Sequence, residues 1–166
     1  MNGKGSYVDA QGNTYEGFFH KGKFHGLGKQ FFINGDCYEG EFSHGKKHGY
    51  GVLKDVDGSI YSGEWKANIR CGYGTYQDVL GGIYKGQYSG DVRNGPGYYY
   101  WPDGEIDAIM CSNDARCGNS VGWSQDRKQA WLMIDGEFQE YVTVDEGKRI
   151  TEDLGLEVPK KLPKPW

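Results

Sequence analysis

A 23-residue period runs through the first two-thirds of the chain. Tyr15, Tyr38, Tyr61 and Tyr84 stand 23 residues apart, and so do Gly17, Gly40, Gly63 and Gly86. The pairs Gly26/Gly28, Gly49/Gly51, Gly72/Gly74 and Gly95/Gly97 keep the same step. The turn glycines Gly12, Gly35, Gly58, Gly81 and Gly104 keep it too. Four units, 12–34, 35–57, 58–80 and 81–103, follow one another without an insertion. A fifth, 104–126, is degenerate, with Asp107 at the tyrosine position and Ile109 at the first glycine position. Gly3 and Gly5 lie one period before Gly26 and Gly28, so the chain opens inside half a repeat. A fixed period of this length marks an array in which each unit packs on its neighbours.

Each unit holds two strand-sized halves. The first reads YEGFF (15–19), YEGEF (38–42), YSGEW (61–65) or YKGQY (84–88). Strand side chains alternate between faces, so tyrosine, glycine and terminal aromatic share one face while Glu16, Glu39, Glu41 and Glu64 take the other. A turn follows, and the second half runs from the paired glycines into residues such as YGVLK (50–54). NG (34–35) or DG (57–58, 103–104) then opens the next unit, as suits tight hairpin turns. The expected fold is all-β: a single-layer antiparallel meander of tandem β-hairpins, an elongated repeat sheet with an aromatic and a polar face. Glycine between aromatics leaves room for a ring from a neighbouring strand to lie over the backbone. Rings stacked across strands then supply much of the cohesion that a one-layer sheet lacks.

The spacing Y-x-G-x-F/W followed by G-x-G at a 23-residue step closely resembles the MORN repeat, over about residues 1–117. Asn68 and Asp91 depart from it, standing where the turn usually carries glycine; both residue types tolerate left-handed backbone. The resemblance implies a scaffold or adaptor, often tied to cytoskeleton, cilia or membrane-proximal structures, and in some relatives phospholipid binding. It also implies a cytoplasmic setting, associated with cytoskeleton or membrane. Larger relatives join the array to a catalytic domain, which the 49 residues after position 117 do not accommodate.

The remainder divides into a hairpin region with a capping helix (118–155) and a Pro/Lys-rich extended tail (156–166). Residues 121–142 read as strand, turn, strand, tight turn at Asp135-Gly136, strand. Thr143-x-x-Glu146 then opens a short helix, about 144–154, with Gly155 as its stop. Its expected task is to cover the last edge or face of the sheet. The tail, ending in Trp166, reads as a disordered end, with a docking peptide or a weak anchor to acidic lipid as its functional alternatives.

Little in the chain points to catalysis. No Walker loop or Ser/His/Asp grouping stands out, and the recurring glutamates fit a solvated face. His25 and His48 share a repeat position, which sets them ~9.6 Å apart, too far for one metal ion. Cys71 and Cys117 lie two repeats apart and should not pair; four cysteines without framework spacing fit a reducing compartment. A net charge of −4 shared by both halves argues against nucleic acid as partner. No cofactor and no metal are expected. What remains is the aromatic stripe: Tyr38, Phe42, Tyr61, Trp65, Tyr84 and Tyr88, joined by Tyr98, Tyr99, Tyr100 and Trp101. Tyrosine and tryptophan are favoured anchors, so the expected function is a non-enzymatic scaffold. It holds a helical or extended segment of a partner protein across these rings. Self-association through the open first strand and acidic phospholipid are the alternatives.

Overall fold

The computed structural model describes residues 2–159. Trp166 and the tail lysines fall outside that range. Fourteen strands, all paired antiparallel, form one open meander sheet among the described residues. The chain divides into two compact units, one of residues 1–79 with 89–91, the other of residues 80–88 with 92–166.

The first unit carries β1 (Gly3–Val8), β2 (Thr14–His20), β3 (Lys23–Phe31), β4 (Cys37–Ser43), β5 (Lys46–Lys54), β6 (Ile60–Lys66) and β7 (Ile69–Gln77). The glycine lattice sets its register: Gly17 pairs with Gly28, Gly40 with Gly51 and Gly63 with Gly74 within hairpins, and Gly28 with Gly40 between them. Each tyrosine leans along its own strand over these glycines. Its hydroxyl donates to the carbonyl three residues on: Tyr15 to Phe18 at 2.9 Å, Tyr38 to Glu41 at 3.0 Å, Tyr61 to Glu64 at 3.2 Å. The ring over the glycines thus belongs to the same hairpin, not to a neighbouring one, because the bond to the carbonyl pins it there. A Cβ at Gly74 would stand 2.6 Å from the Tyr61 hydroxyl oxygen, so no larger residue fits. The first glycine of each pair has a different task. Gly49 (φ +62°) and Gly72 (φ +57°) adopt the left-handed backbone beside the register shift of their hairpins.

The second unit carries β8 (Ile83–Ser89, its last residue in the first unit), β9 (Val92–Tyr100), β10 (Ile106–Ser112), β11 (Ala115–Arg116), β12 (Asn119–Trp123), β13 (Ala130–Ile134), β14 (Glu137–Val142) and α1 (Val144–Asp153). Thr143 caps α1 by accepting from the Glu146 amide. Leu156 N–H donates to Thr151 O and Gly155 N–H to Glu152 O, with Gly155 at φ +73°, which closes the helix in a Schellman turn. α1 lies on the sheet face that bears Ala108, Val121, Trp123 and Ala130, all buried. Gly147 makes the approach possible, since a Cβ there would meet Ala130 Cβ at 2.8 Å. Buried Thr151 links helix to sheet by donating to Gly147 O at 2.9 Å and accepting from Trp123 Nε1 at 3.3 Å.

Repeat positions forecast where the helix lands. Glu16, Glu39, Ser62, Lys85 and Ala108 are register-equivalent, as are Lys29, Val52, Thr75, Tyr98 and Val121. The first series turns apolar only at Ala108; the second is apolar at Val52 and again at Tyr98 and Val121, and where both are apolar α1 sits.

Candidate functional site

The aromatic residues of the first unit build a closed row. Tyr15 meets Phe19 and Phe42 edge-on at 5.2 and 5.0 Å; Tyr38 meets Phe42 and Trp65 at 5.1 and 5.4 Å; Tyr61 meets Trp65 at 5.2 Å. Each tyrosine therefore touches the terminal aromatic of its own repeat and, for Tyr15 and Tyr38, that of the next. Edge-to-face pairs of this kind contribute about 0.5–1.5 kcal/mol beyond their burial. In the second unit Tyr84 meets Tyr88 at 5.6 Å.

A second periodic series lies over the row. Phe24, Lys47, Arg70, Arg93 and Arg116 are 23 residues apart. Phe24 stacks flat on Tyr15 at 3.7 Å. Lys47 Nζ sits 5.0 Å from the Tyr38 ring, 4.8 Å from Trp65 and 5.1 Å from Phe32. The Arg70 and Arg93 guanidinium carbons each lie 5.4 Å from a ring, Tyr61 and Tyr84 respectively. Four cations thus replace a stacked phenylalanine, each held by ring quadrupoles. Burial pushes the Lys47 ammonium below its ordinary value. It also pushes the Tyr15 and Tyr38 hydroxyls up.

The turns hold the cations in place. Asn68 (φ +76°) donates its N–H to Lys47 O and accepts from Lys47 N–H through Oδ1 at 2.7 Å. Asp91 (φ +71°) does the same for Arg70, accepting its N–H at 2.9 Å, and Asp114 for Arg93 at 2.8 Å. The carboxylates also face the guanidinium groups, at 3.4 Å for Arg70 and 3.1 Å for Arg93. Asn68 and Asp91, departures from the glycine pattern, therefore add a side-chain acceptor that glycine lacks. In the fifth unit the guanidinium keeps its place while the ring beneath it becomes a carboxylate. Buried Asp107 accepts from Arg116 Nη1 at 2.8 Å and from Trp101 Nε1 at 2.7 Å, and Arg116 also lies over the Tyr99 and Trp101 rings.

Of the ten rings expected to contact a partner, Tyr38, Phe42, Tyr61, Trp65, Tyr84, Tyr88 and Tyr100 are buried, with at most 8% exposure. Trp101 is 38% exposed, and Tyr98 and Tyr99 are half-buried. Nor do the last residues share one stripe. Tyr98 pairs with Ala108 and Tyr100 with Ile106, on the face beneath α1, whereas Tyr99 pairs with Asp107 on the face of the cation series. Strand alternation separates them. The Tyr98 hydroxyl donates to Glu157 O, beyond the helix.

The opposite face of the first unit is open. Leu27, Tyr50 and Tyr73 are register-equivalent and 64%, 53% and 53% exposed, with Phe18 and Phe31 beside them also exposed. Leu27 pairs with Glu41 and Tyr50 with Glu64. Glu41 Oε1 accepts from the Tyr50 amide and Glu64 Oε1 from the Tyr73 amide, both at 2.9 Å. Those carboxyls lie where a Cβ at Gly49 or Gly72 would point. Spacing alone does not reveal this row, because its residues fall between the glycines, on a face whose glutamates suggest plain solvation.

Other candidate chemistry is sparse. The His20 and His25 rings lie 5.5 Å apart and His25 and His44 6.0 Å, so the structure gathers three histidines that lie apart in sequence. Among the described residues no group of three His, Cys, Asp or Glu is placed to hold a metal ion. All four cysteines are free thiols, and burial pushes that of Cys111 up. A cavity of about 310 Å³ opens beneath the last turn of α1, lined by Met110, Cys117, Asn119, Ile150 and Leu154. No helix among the described residues is long and apolar enough to cross a membrane.

Two solved structures from Drosophila melanogaster are similar to the chain. One is the SAS-4 (dCPAP) TCP domain in complex with a proline-rich motif of Ana2 (dSTIL), at 11% identity over 84% of this chain and 90% of that one, with a TM-score of 0.44. The other is the TCP10c domain of Sas-4, at 10% identity over 84% and 99%, with a TM-score of 0.42. Overlaps this loose bear on neither fold nor function. No curated protein matches the sequence. A family model described as MORN repeat matches residues 1–14, 15–37, 38–60, 61–79 and 84–106, well over half of the chain.

Proposed function

The chain belongs to the MORN repeat family, and from that premise we propose that it is a non-enzymatic scaffold whose repeat sheet holds a partner protein. The observation that carries this reading is a division of labour between faces in the first unit. One face is sealed by rings and cations, which supply rigidity. The other presents large apolar side chains to solvent at Leu27, Tyr50 and Tyr73, and exposed rings with a polar tip are favoured anchors. On the sealed face of the first unit Tyr7, 51% exposed, keeps surface for a partner, as does Trp101, 38% exposed, in the second unit. A cytoskeletal setting belongs to the proposal and rests on family membership.

A pull-down with the full chain tests this. A recovered protein, confirmed with purified components, should be lost by Tyr50→Ser/Tyr73→Ser while the far-UV spectrum stays β-like. Loss instead with Tyr7→Ser would move the contact to the sealed face. No protein partner, together with flotation on phosphoinositide vesicles at low salt, would replace the reading with a lipid one.

A further inference from the structure

The second unit already shows what the open face accepts. There α1 packs on β12 and β13 on the side of Ala108, Val121 and Trp123, half-burying Val144, Ile150 and Leu154 against that cluster. Val52 and Thr75 hold in the first unit the positions that Tyr98 and Val121 hold beneath α1. Asn119, which lines the cavity under the last turn of the helix, is register-equivalent to Leu27, Tyr50 and Tyr73. The positions of Val52 and Thr75 therefore lie beneath a helix in the second unit, while Asn119, at the position of Leu27, Tyr50 and Tyr73, lines the cavity beside it and stays exposed.

Building on the scaffold reading, we propose that the Leu27–Tyr50–Tyr73 row takes a basic amphipathic helix from a partner protein, with apolar residues seven apart. Register-equivalent residues are two strands apart, ~9.6 Å. Seven residues of α-helix rise ~10.5 Å, so apolar positions i, i+7 and i+14 follow the row with little drift. Charge selects the sign of the flanks. Glu41 and Glu64 stand directly across from Leu27 and Tyr50, and Glu16 and Glu39 share the face. Of its lysines, Lys29 is held by Glu39 at 3.1 Å, Lys23, Lys46, Lys54 and Lys66 stand at the ends of their strands, and Lys4 lies on β1. Lysine or arginine beside the apolar stripe of the guest meets the two central carboxylates.

The test is a fluorescence-anisotropy titration of the full chain with two labelled synthetic helical peptides. Both carry leucine every seven residues; one has lysine flanks and the other glutamate flanks. The basic peptide should bind and the acidic one should not. Glu41→Gln/Glu64→Gln keeps the acceptors for the Tyr50 and Tyr73 amides, as Gln87 stands at the equivalent position, and should weaken binding at least tenfold at low salt. Tyr50→Ser/Tyr73→Ser should abolish it, and Tyr7→Ser should leave it unchanged. Equal binding of both peptides, indifference to the Tyr50 and Tyr73 changes, or no binding of the basic peptide would overturn the proposal. If a protein partner is still captured when the basic peptide fails, the scaffold reading stands and only the helix assignment falls.

Discussion

A methyl group at Gly74 would crowd the Tyr61 hydroxyl at 2.6 Å, whereas one at Gly45 would meet nothing within 4 Å. Gly74→Ala is thus expected to cost about 1–3 kcal/mol by overpacking. Gly45→Ala should cost about 1 kcal/mol, from its left-handed backbone alone (φ +84°). Gly45→Asn should recover that loss, since Asn68 at the equivalent turn accepts the Lys47 amide. Denaturant unfolding ranks the three. Alkaline stability belongs to this scale as well. Burial holds the Tyr15 and Tyr38 protons past the ordinary tyrosine value of 10.0, so above that pH the unfolded chain ionises first and stability falls. Lys47 acts the other way: its native proton leaves below 10.5, before that of the unfolded chain, and stability gains there. Tyr38→Phe should flatten the fall and Lys47→Met should steepen it, measured by thermal midpoints between pH 9 and 11. The period shows every one of these glycines. It does not separate their tasks, because left-handed backbone at a register shift and ring clearance both select the same residue.

At the scale of the element, the fifth repeat and α1 carry the departures from pattern. Arg116→Ala would leave the buried Asp107 carboxylate with the Trp101 indole but without its cation, a change expected to cost about 3–5 kcal/mol. Gly147→Leu should keep α1 from docking, since even a Cβ meets Ala130 and Trp123. Exposure of Trp123 should then shift its fluorescence to the red while the repeat hairpins stay protected from hydrogen exchange. Hairpins, tight turns and the Thr143-capped helix are legible in the sequence because local pattern dictates them. The cation series is not, since Lys47, Arg70 and Arg93 look like ordinary turn lysines and arginines until rings stand beneath them. Likewise, the YYYW run looks like one stripe, although alternation alone sends Tyr98 and Tyr100 to the face beneath the helix.

At the scale of the molecule, the period makes the rings of the first unit a frame, and the proposed contacts fall to positions that the frame does not need. Where no helix covers it, in the first unit, the sheet draws its cohesion from one face, so the regularly spaced tyrosines there are buried: Tyr38 is 0% exposed. The residues between them, Leu27, Tyr50 and Tyr73, keep more than half of their surface exposed, and the proposal assigns the partner contact to them. Sequence therefore locates the sheet, its register and its cap, but does not show that most of the regular rings are buried. The measurement that bears most directly on this account is the titration of the lysine-flanked helical peptide against the full chain carrying Tyr50→Ser and Tyr73→Ser. The account predicts loss of binding with the far-UV spectrum and thermal midpoint of the parent retained. Unchanged affinity in that folded variant would contradict it.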